Sequence, residues 1–253
     1  MKRLFYTLAV SAALAACNPP SAQQQTSEST EATAAGQAGT ADVEIKGKAI
    51  DLQVGDVHFT KAVNGADSLI SVDPSTQEIA FRVGEKKDYF LDPDGKLSNN
   101  TAPILLSAVD NTKPFTLFAK VKPTFTETGL YNAGVLFLYA HEELYQKFCF
   151  EQDEHGVHRV VSVRTDGSSD DNNHEPIEGP EVYMKISSDG KTVASYYSAD
   201  NKNWKLARLY QNQYPDTLWV GISSQCPVDT GSVAYFADLK LEENSVADFR
   251  LGN

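Results

Sequence analysis

The chain carries a dense run of titratable side chains, Glu151-Gln152-Asp153-Glu154-His155. Carboxyl groups this close together could hydrolyse a glycosidic bond, because a retaining glycosidase places two of them about 5–5.5 Å apart across that bond. On a strand alternate side chains share a face, so Glu151 and Asp153 would point together, His155 would follow them and Glu154 would point away. Since the third position on that face is a histidine, the run predicts a strand ending in a charged turn, and glycoside hydrolysis is the less favoured function.

A second group of side chains could bind a sugar without cleaving it. Sugar recognition combines aromatic rings, which stack on pyranose faces, with acidic, amide and basic groups that hydrogen-bond the hydroxyls. Strand alternation places Tyr145, Lys147 and Glu151 on one face of a predicted strand. Candidates from a neighbouring strand and from loops are Arg164, Tyr89 and Trp204. The alternatives are that both loop aromatics pack at the ends of the domain, and that Lys147 and Glu151 form an ion pair of little energetic value.

An oxygen-rich segment lies between two predicted strands, at residues 166–173. Ca²⁺ takes roughly 6–8 oxygen ligands, so Asp166, Asp170 and Asp171 are candidate calcium ligands. We expect a flexible polar loop here in preference to a metal site. The five histidines show no pairing at the spacing of a helical metal site, and no other cofactor is expected.

The N-terminus has the layout of an export signal. A basic start precedes the apolar run Leu4–Ala16, which is too short to span a bilayer as a helix. The sequence Leu14-Ala15-Ala16-Cys17 closes it. This order resembles the lipoprotein signal of bacteria, in which Cys17 becomes the acylated first residue of the mature protein. Asn18 stands where lipoproteins of the inner membrane usually carry Asp, so the resemblance favours the outer membrane of the bacterial cell envelope.

The charge of the chain limits its partners. The net charge is −12 at pH 7, and loss of the basic signal segment would make the mature chain more acidic. An acidic surface repels phosphate backbones, so a nucleic acid is not expected as a partner. The expected partners are the lipid bilayer, through acylated Cys17, and a glycan or an envelope protein.

Composition divides the chain into three parts: a signal peptide at 1–16, the lipidated Cys and a flexible tether at 17–42, and a single β-sandwich domain at 43–253. The tether lacks large apolar side chains, so it cannot bury enough surface to offset its chain entropy. From Val43 onwards, short runs rich in Val, Ile, Phe and Tyr alternate with turn residues, which is typical of β-strands.

Twelve strands are predicted, with no amphipathic helix between them, which favours an all-β antiparallel sandwich. They lie near Ile45–Leu52, Ile79–Val83, Ile104–Ser107, Phe115–Val121, Ala133–Tyr139, Tyr145–Glu151, Val157–Val163, Val182–Ser187, Thr192–Tyr197, Lys205–Tyr210, Leu218–Ser223 and Val233–Leu241. Alternation turns Phe148 and Phe150 towards the core. Several adjacent strands are therefore expected to present a polar face, dotted with aromatics, on the opposite side.

Motifs in order along the chain resemble a family of concanavalin-like domains named after a yeast protein implicated in enolase regulation (domain of unknown function 1349). The matches are Lys87-Asp88-Tyr89-Phe90, Tyr131-Asn132-Ala133-Gly134-Val135, Tyr145-Gln146-Lys147 with Glu151, and Tyr197-Ser198-Ala199-Asp200 with Trp204. The resemblance covers roughly residues 56–243 and implies a concanavalin A-like jelly roll without a settled activity. Asn132 stands where the family has Asp and Tyr145 where it has Trp; both are ligand-binding candidates at these positions.

The favoured function is a membrane-anchored lipoprotein with a lectin-like, non-catalytic glycan-binding domain. The alternatives are a structural or protein-interaction lipoprotein of the envelope and, less favoured, a glycoside hydrolase. An oxidising compartment would permit a disulfide between Cys149 and Cys226. Two small buried thiols are the simpler interpretation, because two cysteines do not make a disulfide framework.

Overall fold

A computed structural model describes residues 45–253 of the chain. The predicted signal peptide, the lipidation site Cys17 and the tether lie outside the described residues. Between Ile45 and Asn253, no helix is both long and apolar enough to cross a membrane. The described part is built almost entirely of strands, with one 3₁₀ turn at Ala66–Ser68.

The strands are β1 (Lys48–Val54), β2 (Val57–Val63), β3 (Ile70–Val72), β4 (Ile79–Gly84), β5 (Tyr89–Leu91), β6 (Ser98–Asn100), β7 (Ile104–Asp110), β8 (Phe115–Pro123), β9 (Ala133–His141), β10 (Leu144–Gln152), β11 (His158–Asp166), β12 (Ser168–Pro176), β13 (Val182–Ser188), β14 (Thr192–Ser198), β15 (Lys205–Gln211), β16 (Thr217–Gln225) and β17 (Gly231–Glu242).

Two large antiparallel sheets form the fold. Sheet A has eight strands in the order β1-β2-β7-β16-β9-β10-β11-β12, and sheet B has seven in the order β15-β14-β13-β8-β17-β4-β3. Strands distant in sequence are neighbours in both sheets, such as β7 beside β16 and β8 beside β17. The predicted antiparallel concanavalin A-like jelly-roll sandwich is confirmed.

The sheets bury an apolar layer between them. Sheet A contributes Phe148 and Phe150 from β10, and sheet B contributes Phe81 and Phe236, all fully buried. Burying one such side chain contributes roughly 1.5–3 kcal/mol. The predicted alternation along β10 is confirmed, because Cys149, between the two phenylalanines, faces away from this layer.

A second apolar layer covers the opposite face of sheet A. The short pair β5–β6 lies across this face, and Tyr89 of β5 meets three aromatic rings edge-on. Its ring centroid lies 5.8 Å from that of Phe137, 5.9 Å from that of Tyr139 and 5.4 Å from that of Tyr145. We call the part of sheet A beneath β5 and β6 the covered face.

All twelve predicted strands are present, within a few residues of their predicted ends. The short strands β3, β5 and β6, together with β2 and β12, were not predicted. The oxygen-rich segment expected to be a flexible loop is instead strand β12, paired along β11 from Asp166 to Arg159. Its side chains are almost all polar, so alternation gave no signal, and the backbone ladder with β11 determines its conformation.

Candidate functional site

The covered face holds a buried chain of polar side chains. The Nζ of Lys147 lies 3.0 Å from Oδ1 of Asp88 and 3.1 Å from Oε1 of Gln225. The amide of Gln225 in turn donates to Oε2 of Glu151, at 3.0 Å, and to the backbone carbonyl of Tyr131, at 2.9 Å. Two of the family-like motifs, around Asp88 and Lys147, are thereby brought into contact across the fold.

Burial sets the charge of this polar chain. It raises the pKa of Glu151 to about 8, even though nearby Lys147 acts in the opposite direction. Burial alone would lower the pKa of Lys147, but the Asp88 carboxylate outweighs it and the pKa rises. At neutral pH the polar chain therefore contains a charged Lys147–Asp88 pair and a protonated Glu151.

This face is closed to solvent. The side chains of Tyr89, Tyr145 and Lys147 are at most 3% exposed, and Glu151 is 7% exposed. Tyr89 lies on strand β5 and packs on the face of sheet A, whereas the sequence placed it in a loop. A ligand role for these residues stays a prediction, and direct contact with a sugar would require β5 and β6 to move.

Two further candidates lie away from the covered face. Arg164, expected beside Lys147, points to the other side of sheet A, because it pairs with Gln146 rather than with Lys147. Its guanidinium lies 4.1 Å from the ring centroid of Tyr210. Asn132 is fully buried, and neither polar atom of its side chain has a hydrogen-bond partner within the described residues.

Of the carboxylates that suggested hydrolysis, Asp153 is held by structural contacts. Asp153 follows the end of β10 and accepts hydrogen bonds from the backbone N–H groups of His155 and Val157, at 2.9 and 2.8 Å. It also lies 2.6 Å from Nε of Arg159. Burial alone would raise the pKa of Asp153, but these contacts outweigh it and the pKa is lowered. The predicted charged turn is confirmed.

The three calcium candidates do not converge. Asp170 pairs with Arg164 and Asp171 with Val163, so the two aspartates point to opposite faces of β12. Asp170 is also within 3.2 Å of the guanidinium of Arg208. Throughout residues 45–253, no three His, Cys, Asp or Glu side chains are grouped to hold a metal ion.

Both cysteines of the described part, Cys149 and Cys226, are buried free thiols. This confirms the interpretation preferred over a disulfide.

Trp204 belongs to a different site, on the outer face of sheet B. The β14–β15 hairpin positions it: Asp200 accepts hydrogen bonds from the backbone N–H groups of Lys202 and Asn203, at 2.9 and 2.8 Å. Asn201 takes the left-handed conformation in this turn, at φ 57°, which asparagine tolerates better than most residues. The family-like hairpin motif therefore holds the indole ring at the edge of the sheet.

A cleft of about 460 Å³ opens beside the Trp204 ring. Phe118 meets the indole edge-on, with ring centroids 6.1 Å apart. The Nζ of Lys185 lies 3.8 Å from the centroid of the same indole. Burial lowers the pKa of Lys185 to about 8, with Glu242 acting in the opposite direction. Asn201, Glu242 and Asn244 add amide and carboxylate groups to the lining.

The C-terminal segment, residues 244–253, forms one wall of this cleft. Its backbone carbonyls accept hydrogen bonds from side chains of sheet B: Asn244 from Thr116 at 2.7 Å, and Gly252 from Lys185 at 2.5 Å. Sequence reasoning missed this wall, because no strand or motif signal marks the segment. The available signals for the cleft were Trp204, a candidate from its hairpin motif, and the alternation of β13, in which Met184 and Ile186 face the core and Lys185 between them faces outwards.

Comparisons with known proteins agree with the fold. A functionally unknown protein from Saccharomyces cerevisiae has a similar structure, with a TM-score of 0.63 and 19% identity over 72% of this chain and 95% of that chain. Bacteroides ovatus xyloglucan PUL GH43B matches with a TM-score of 0.53 and 12% identity, over 75% of this chain and 37% of its own. Xylan beta-1,4-xylosidase from Bacillus halodurans C-125 matches with a TM-score of 0.51 and 13% identity, over 70% and 34%.

At these identities the structural matches show the fold alone, and the chain spans only about a third of the two glycoside hydrolase chains. No curated protein matches the chain. The family of proteins of unknown function DUF1349 matches residues 70–244, which include the covered face and the Trp204 hairpin. This match extends over more than half of the sequence, so the chain belongs to the DUF1349 family.

Proposed function

We propose that this protein is a non-catalytic glycan-binding lipoprotein of the bacterial cell envelope, and that the glycan binds in the Trp204 cleft. The observation that carries the proposal is the open cleft of about 460 Å³ beside an indole ring. Ligand sites typically have volumes of roughly 300–1,000 Å³ and combine apolar walls with a few polar groups. The covered face is instead occupied by Tyr89 and Phe90 of β5, which pack on sheet A.

The side chains around the cleft suit a sugar. Trp204 and Phe118 offer apolar ring surface, while Asn201, Asn244 and Glu242 offer donors and acceptors for hydroxyl groups. Hydrogen bonds of this kind are directional, so a lining of amides and a carboxylate can distinguish one sugar from another. The C-terminal wall gives the cleft its depth.

The same lining supports binding without hydrolysis. Among the described residues that line the cleft, Glu242 supplies the acidic side chain, whereas a retaining glycosidase needs two carboxyls about 5–5.5 Å apart. The buried pair Lys147–Asp88 and the turn residue Asp153 have structural partners of their own. We therefore infer no cleavage step.

Lipid anchoring at Cys17 would place this domain at a membrane, and Asn18 favours the outer membrane. A tether of residues 18–42 without large apolar side chains would let the domain reach material around the anchor. This arrangement suits a protein that captures a glycan in the envelope.

The test is a glycan array probed with the full chain in detergent, followed by calorimetric titration of the best glycan. We expect Trp204→Ala to weaken binding about tenfold or more, because aromatic side chains dominate such contacts. Trp219→Ala is the matched control, since Trp219 lies in sheet A with Lys61 5.0 Å from its ring. Thermal melts of both variants establish that each is folded. An array without any bound glycan, or equal losses in both variants, would overturn the proposal.

A further inference from the structure

Cations line the outer face of sheet B. In β8, Leu117 and Ala119 lie in the core between the sheets, so the alternate residues Phe118, Lys120 and Lys122 point outwards. Same-face residues along a strand are separated by roughly 6.6 Å. The β8 strand therefore presents an aromatic ring and two ammonium groups at regular steps.

The next two strands on one side of β8, β17 and β4, extend this row. The residue pairing places Lys240 of β17 beside Phe118, and Arg82 of β4 beside Val233 of β17. Arg82, Lys122 and Lys240 are exposed, and Lys120 is partly exposed. We call Arg82, Lys120, Lys122 and Lys240 the cationic track.

Aromatic rings alternate with these cations. Tyr183 stacks on Phe118, with ring centroids 6.2 Å apart and planes inclined by 26°. The Nζ of Lys122 lies 5.9 Å from the ring centroid of Tyr235. Phe118 is also a wall of the Trp204 cleft, so the track and the cleft are continuous.

Carboxylates offset only part of this charge. Glu181 lies 3.9 Å from Lys120, a distance at which a partly exposed pair contributes little. Glu242 lies at the cleft end of the face. With Lys185 of β13, five cations on these strands thus stand against three carboxylates, Glu242 and the exposed Asp238 of β17 and Glu181 directly before β13, on a chain whose net charge is −12.

We propose that the cationic track binds an acidic polysaccharide, whose sugar rings carry carboxylates, with one end of the polysaccharide in the Trp204 cleft. This inference rests on the proposed function and names its ligand class. Regularly spaced cations match the carboxylates of a linear polymer, and the rings between them match its sugar faces. A nucleic acid fits less well, because the acidic remainder of the chain repels a dense row of phosphates.

The experiment compares three probes of similar length by calorimetry on the full chain in detergent. They are an oligogalacturonate, the same oligomer fully methyl-esterified, and single-stranded DNA. We expect the free acid to bind about tenfold or more tightly than the ester, and this advantage to shrink as salt is added, because salt screens exposed charges. DNA should bind more weakly than the free acid.

The double variant Lys120→Gln/Lys122→Gln should weaken binding of the free acid about tenfold and leave binding of the ester unchanged. The control is the double variant Lys46→Gln/Lys48→Gln, which removes the same charge outside sheet B. These two lysines pair with Glu142 and Asp67. The control should bind the free acid as the parent does. Both variants change partly or fully exposed side chains, and melting temperatures check their folding.

Equal binding of acid and ester, or an equal loss in the control, would overturn the acidic-ligand inference while leaving glycan binding intact. DNA binding as tight as that of the free acid would also overturn it. If neither oligosaccharide binds but a neutral glycan binds on the array, the acidic-ligand inference is wrong and the proposed glycan binding stands. Failure of every glycan would remove the proposed function too.

Discussion

The ammonium of Lys147 on β10 lies 3.0 Å from the carboxylate of Asp88, the residue that leads into β5. The pair joins sheet A to the strands that cover it, and the Lys147 side chain is only 3% exposed. An ion pair buried this deeply is costly to break from one side, because the remaining charge loses its partner and stays out of water. The covered face is therefore closed by charge as well as by the aromatic contacts of Tyr89.

Lys147→Met should destabilise the protein by about 3–5 kcal/mol, the usual cost of removing one partner of a buried pair. Urea unfolding followed by tryptophan fluorescence measures this. The control is Lys46→Met, whose side chain is 81% exposed and 3.2 Å from Glu142, and it should shift stability by less than about 1 kcal/mol. Adding Asp88→Asn to Lys147→Met should restore part of the loss. Similar losses of stability in Lys147→Met and in the control Lys46→Met would contradict the buried-pair account.

Glu151 should make the protein less stable as pH rises. Its pKa is about 8 in the folded protein and ordinarily 4.5, so between these values the folded state holds more protons than the unfolded state. The free energy of unfolding from this group therefore falls with rising pH across that window, by on the order of a few kcal/mol. Urea unfolding from pH 5 to pH 8 measures the slope. In Glu151→Gln the slope should be markedly shallower, and an unchanged slope would show that the carboxyl is ionised in the folded state.

The C-terminal segment that forms the wall of the Trp204 cleft needs a glycine at position 252. Its φ is +74°, and an added Cβ would lie 2.7 Å from Cδ1 of the Tyr196 ring. Gly95 is a matched control, with a φ of +73° and nothing within 4 Å of the position of such a Cβ. We expect Gly252→Ala to lower stability by about 1–3 kcal/mol more than Gly95→Ala does, because only the former adds a clash to the backbone strain. Thermal melts compare the two, and equal losses would mean that the C-terminal segment does not pack on Tyr196.

Cys17 should carry the lipid anchor. Metabolic labelling with a radioactive fatty acid should label the parent chain in a bacterial host, and Cys17→Ser should abolish the label and release the protein from the membrane fraction. Cys149→Ser controls for the loss of a thiol. Because Cys149 is fully buried, this variant should be labelled as the parent chain is. Acylation of the Cys17→Ser variant, or membrane release by Cys149→Ser alone, would contradict the assignment.

The part of the fold that could be predicted from the sequence is the part with a local signal. Alternation along β10 predicted that Phe148 and Phe150 face the core and that Lys147 and Glu151 share the other face. The Asp200 turn could be expected because its side chain bonds the backbone only two and three residues ahead. Strand β12 could not be expected, because its polar side chains show no alternation and its conformation is set by backbone pairing with β11.

The sequence by itself determined the all-β class, the faces of the long strands, the charge of the chain and the family motifs. Each of these follows from residues close together in the chain, through strand periodicity or turn chemistry. Only the tertiary structure decided which faces are open. Tyr89 closes the outer face of sheet A through contacts with Tyr139 and Tyr145, residues about 50 positions away. Such long-range packing leaves no local signal in the sequence. The sequence therefore could not predict that the expected groove is closed and that the cleft beside Trp204 is open.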